Sequence, residues 1–167
     1  YEIQQELGDN TYQKASTLNN IGVVYENMAR YQDALKAYAA ALKFSKLIEK
    51  EPQLYAKIID NKAFAEFKIG KEENLPEDFF KASHLRESID DENGLIFSSM
   101  HLAEYYEDKD PKKALKYTEK ARMLAERKGN VHGLLESLRL QARLDKGRSY
   151  DHLERYISLK DSLQKEE

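Results

Sequence analysis

Apolar residues in this chain recur at spacings of three and four, not two, which is the signature of amphipathic helices. Gly, Pro and short polar side chains punctuate that pattern into eight predicted helices. They cover about 11–29, 31–50, 52–69, 77–89, 91–106, 111–129, 131–146 and 149 to the end. Residues 2–7 read as the end of a preceding helix stopped by Gly8, with Asp9 or Asn10 free to cap the next. Pro52 suits a first helical turn, where its missing N–H costs nothing, and Asp110-Pro111 joins a capping carboxylate to the same device. Gly70, Gly129 and Gly147 are predicted stops, and Asp90, Asp91 and Ser149 are predicted caps. Nothing in the pattern demands a strand, so the expected fold class is all-α.

A ladder of small residues overlies these helices. Gly22, Ala63, Ala103 and Ala142 stand at intervals of 41, 40 and 39 residues. Each follows Leu18, Ile59, Ser99 or Leu138 by four positions, and each precedes an aromatic in the next helix: Tyr38, Phe79, Tyr117 or Tyr156. A small side chain at fixed phase permits close approach of two helix axes. Its recurrence predicts repeated helical hairpins of about 11–50, 52–90, 91–129 and 130–167 within one repeat domain, each burying its apolar face on a neighbour.

The first repeat carries the residues of a known pattern. Leu18-Asn19-Asn20-Ile21-Gly22-Val23-Val24-Tyr25, followed by Ala34, Tyr38 and Ala41, resembles a tetratricopeptide repeat, with Leu18 where that family usually has Trp. The second repeat keeps Ile59, Ala63, Gly70, Phe79 and Ala82 but has Glu66 at the Tyr position. The third keeps Ala103, Tyr106, Tyr117 and Ala121, and the fourth keeps Leu138, Ala142 and Tyr156 with Asp145 at the Tyr position. The period exceeds the family's usual length of about 34. The resemblance implies a right-handed α-solenoid of about four hairpins whose first helices line a groove for a protein or peptide.

Applied residue by residue, that register places Asn19, Val23 and Glu26 in the groove, then Lys57, Asp60, Phe64 and Phe67. Phe97, Met100, Glu104 and Glu107 follow from the third repeat, and Arg139, Arg143 and Lys146 from the fourth. An apolar, aromatic centre rimmed by charge suits a peptide anchor. The alternative is that Phe64, Phe67 and Phe97 are inter-repeat core. The basic trio of the fourth repeat could hold a carboxylate or pair with Asp145, Asp151 and Glu154. The family's clamp for C-terminal carboxylates needs Lys and Asn where this chain has Asn19 and Val23, so that clamp is not expected. The tail Tyr156-Ile157-Ser158-Leu159-Lys160-Asp161-Ser162-Leu163 resembles the end of repeat arrays in bacterial signalling proteins, in which a coiled coil or membrane helix and a helix-turn-helix or histidine-kinase module follow. That resemblance implies a sensory fragment, periplasmic if the membrane-linked arrangement holds and cytoplasmic otherwise.

Composition narrows the chemistry. The 167 residues are 41% hydrophobic and 34% charged, with no cysteine, so disulfides and thiolate metal sites are excluded. A formal charge of −3 argues against direct nucleic-acid binding by this fragment. No run approaches the roughly 18 apolar residues of a membrane span. The chain lacks an initiator Met and reads as part of something longer. His84, His101, His132 and His152 are far apart, and the acidic pairs 72–73, 90–91 and 166–167 suit helix ends and solvated faces. No catalytic, cofactor or metal site is expected, and the chain reads as a non-enzyme. A stand-alone adaptor, or a structural repeat that self-associates, for instance as a homodimer through its end repeats, is the competing reading.

Overall fold

The computed structural model describes residues 2–44 and 50–164, with side chains described within 11–44 and 50–163. Among these residues there are eight α-helices and no strand. They are α1 (Glu2–Asn27), α2 (Tyr31–Leu42), α3 (Pro52–Lys68), α4 (Glu77–Ser88), α5 (Glu92–Tyr106), α6 (Pro111–Lys128), α7 (Val131–Leu144) and α8 (Ser149–Gln164). The chain divides into two compact units, Tyr1–Asp91 and Glu92–Glu167.

The helix starts follow from local chemistry. Pro52 occupies the first turn of α3. Asp110 caps α6 by accepting a 3.2 Å bond from the Lys113 amide ahead of Pro111. Asn130 caps α7 in the same way through the Gly133 amide at 2.9 Å. Ser149 is the first helical residue of α8. Two expectations are corrected. The backbone of α1 runs unbroken through Gly8, because an interior Gly costs a helix only about 1 kcal/mol and does not end it without a cap. The second helix stops at Leu42, short of Lys50, and residues 45–49 of that expected span lie outside the described residues.

Four helices end in one hydrogen-bond pattern. The amides of Arg30, Lys71, Asp91 and Asn130 donate to the carbonyls five residues back, of Tyr25, Glu66, Arg86 and Ala125, at 2.8–2.9 Å. The preceding residue in each case has positive φ: Ala29 at 56°, Gly70 at 75°, Asp90 at 54° and Gly129 at 62°. This is the Schellman closure, which satisfies orphan carbonyls at the cost of one left-handed residue. Glycine bears that cost easily, whereas Ala29 and Asp90 carry a Cβ into it.

In the first unit α1 packs on α2, α2 on α3 and α3 on α4, with α1 also touching α3. Its core joins Ala15 of α1 to Ala34, Tyr38 and Ala41 of α2 and Leu54, Ile58 and Ala65 of α3. At its closest point Gly22 lies under the Tyr38 ring, where a Cβ would come within 2.3 Å of Cε1. The second unit repeats the scheme, α5 on α6, α6 on α7 and α7 on α8, with α5 touching α7. Leu95 and Ile96 of α5 meet Ala121, Leu124 and Ala125 of α6, with Met100 and Leu134 packed against them. Ala63, Ala103 and Ala142 are buried, as their place in the ladder predicts.

Candidate functional site

In the first unit, three of the seven expected groove positions belong to the interior. Asn19, Asp60 and Phe64 are buried. Asn19 accepts a 3.1 Å bond from the Asn61 side-chain amide, tying α1 to α3. Asp60, fully buried, receives the Arg86 guanidinium at 2.7 Å, and Arg86 also lies 3.7 Å from the Asp91 carboxylate. A charge taken out of water is tolerable only when paired in this way, so Asp60 serves the packing of α3 on α4. Glu26 is half-buried and accepts the Tyr38 hydroxyl at 3.0 Å. Burial pushes the Tyr38 phenol far above the ordinary tyrosine range, and the Glu26 carboxylate adds to the shift by charge and hydrogen bond. Val23 packs on the core from its edge. Phe67 is half-buried with its ring 6.4 Å from that of Phe64, and the Lys68 ammonium sits over both rings, 4.7 Å from Phe64 and 5.5 Å from Phe67. Lys57 alone of the seven is exposed.

The second unit keeps more of its expected positions at the surface. Along α5, Phe97 is exposed, and Met100 and Glu104 are half-buried on the same side, while Leu95, Ile96, Ser98, Ser99, Leu102 and Ala103 are buried. Beside it α7 presents Arg139 and Arg143, and Lys146 follows just beyond its end; all three are exposed. Arg143 of α7 reaches the end of α5, its guanidinium lying 2.7 Å from Glu107, the residue that follows that helix. Arg139 pairs with Glu136 at 2.5 Å. Arg139 and Arg143 thus find acids one turn back in α7 and just past the end of α5, rather than at Asp145, Asp151 or Glu154.

Beneath that face, Gln141 is buried and donates to Glu119 of α6 at 2.7 Å. The hydrogen bonds from Arg122 first, and from Gln141 after burial's opposing effect, hold the Glu119 carboxyl below its usual range. Gly133 was not legible as a contact. A Cβ there would come within 2.9 Å of Ile96, so α7 approaches α5 through a residue with no side chain. Its position three residues after the capping Asn130, just ahead of Leu134 and Leu135, was the available signal.

His84 stacks on Phe80 at 6.5 Å between ring centres, and His152 is buried with its Nε2 3.4 Å from Asp145. Among the described residues, no group of three or more His, Asp or Glu could hold a metal ion. No described helix is long and apolar enough to cross a membrane. The described residues define an all-helical protein of repeat-like hairpins. Compared with protein-family models the chain matches none, and no curated protein matches it significantly.

Proposed function

We propose that this chain is a protein-interaction module, built as a right-handed tetratricopeptide-like α-solenoid, that holds a protein or peptide on the α5/α7 face. The hairpin packing within each unit, the α1–α3 and α5–α7 contacts and the small-residue ladder support the solenoid reading. One observation carries the functional reading: Phe97, Met100 and Glu104 form a partly open stripe on α5 beside the exposed Arg139 and Arg143 of α7. An apolar anchor set among charged groups is what a non-obligate interface uses. Phe64 is withdrawn from the contact set because it is buried.

Peptides selected from a display library against the wild-type chain test this. Phe97→Ala combined with Arg143→Glu should weaken the selected peptides by about tenfold or more, as loss of a central anchor does. Lys57→Glu, in the other unit, should leave them bound. Equal binding to all three proteins would overturn the assignment. The module is further read as the sensory part of a larger bacterial signalling protein, on the strength of the tail 156–163. A complete reading frame with an output module downstream would bear this out, and a stand-alone adaptor would refute it.

A further inference from the structure

Helix α8 has apolar residues on two opposite sides. At about 100° per residue, His152, Tyr156 and Leu159 share one side, and they are buried or half-buried. Tyr150, Leu153 and Ile157 fall on the other and are 77%, 43% and 55% exposed. They border a shallow groove completed by Glu154 and Asp161. Arg155, turned toward the packed side, donates to Glu126 of α6 at 2.8 Å. Within its own copy, therefore, the outer stripe of α8 faces away from α6. A helix that is polar outside needs one covering layer; this one is patterned for two.

The complementary surface lies on α6. Lys112, Lys116, Lys120, Met123 and Arg127 fall within about 80° of arc, and Met123 is 58% exposed at the centre. Lys116, Lys120 and Met123 border a second shallow groove. Glu119 and Glu126, which also border it, are each held at 2.6 Å by Arg122, and Arg127 is paired with Glu92. The α8 groove thus carries Glu154 and Asp161 at its edge, and the α6 groove carries Lys116 and Lys120 around Met123.

We propose that these are the two halves of one self-association interface. The outer stripe of α8 from one copy lies on the α6 groove of the next, with Leu153 and Ile157 covering Met123 and with Glu154 and Asp161 opposite Lys116 and Lys120. The contact joins two different patches, so it can close reciprocally between two copies or continue head-to-tail. This stands apart from the α5/α7 face and does not depend on it.

Sedimentation of the full chain over a range of concentrations tests the proposal. The average mass should rise above one copy with concentration, and less so at high salt, which screens the charged edges. Ile157→Glu should hold the chain at one copy with its helicity intact. So should Lys116→Glu with Lys120→Glu, and separately Glu154→Lys with Asp161→Lys, because each makes the two faces alike in sign. Mixing those two double variants pairs opposite charges again and should restore association. A wild-type mass of one copy throughout would overturn the proposal, as would association in the α6 variant alone or no recovery on mixing. Those last two results would point respectively to α8 pairing with itself and to another partner for α6.

Discussion

Replacing Gly22 by Ala adds a single methyl group at the tightest place described in the first unit. The new Cβ would lie 2.3 Å from Cε1 of Tyr38 and 2.7 Å from Cδ1 and Cζ. An ordinary carbon contact is about 3.5–4.0 Å, so the ring or the helix must move by more than 1 Å. Neither moves easily: Tyr38 is fully buried, and its hydroxyl is held by Glu26 at 3.0 Å. Overpacking of this kind costs about 1–3 kcal/mol, and a ring with no room belongs at the upper end. Ala returns about 1 kcal/mol through its better helix propensity. The net expectation is a loss of about 2 kcal/mol. Urea unfolding followed by circular dichroism should show a lowered midpoint at unchanged slope. In a Tyr38→Leu background, which removes Cε1 and Cζ, the penalty should shrink by about 1 kcal/mol or more, as contacting residues couple. Equal losses in both backgrounds, or none in either, would refute the close-contact argument.

Ala29→Gly should stabilise the chain by about 0.5–1 kcal/mol, because it lifts the left-handed strain at φ 56° and gives back part of that gain in unfolded-chain entropy; thermal unfolding checks the sign. Arg86→Met should cost about 3–5 kcal/mol by leaving Asp60 charged and buried, and adding Asp60→Leu should recover most of it, read by the same denaturant curves. For Tyr38 the raised folded-state value fixes the direction of the pH effect. Below about pH 10 both states are protonated; above it the unfolded chain ionises while the folded one does not, so stability falls as pH rises. Tyr38→Phe should flatten that alkaline limb in unfolding curves taken between pH 9 and about 11.5.

The helices and the ladder were legible because both are written in short-range spacing. A Gly at the phase of Gly22, with an aromatic in the next helix, predicts a contact that needs no knowledge of the rest of the fold. The surface was not legible to the same degree. Around a helix, neighbouring residues differ by about 100°, so core and surface arcs abut and one step of register exchanges them. That is how Asp60 and Phe64, expected in a groove, prove to be interior. The Asp60–Arg86 pair is harder still, since its partners stand on different helices and each alone reads as a solvated charge. Gly8 shows the converse error. A glycine stops a helix only when the chain beyond it can close the end, and α1 continues.

The four Schellman closures share their hydrogen bonds but not their mechanical worth. At Gly70 and Gly129 the left-handed residue rests near the bottom of its own energy well, and the joint is as firm as its two hydrogen bonds. At Ala29 and Asp90 part of that bond energy is already consumed in holding a reluctant φ. Among the four closures, the two after α1 and α4 therefore hold with less energy in reserve than those after α3 and α6. The difference is set by which residue stands in the fifth position of an otherwise identical knot.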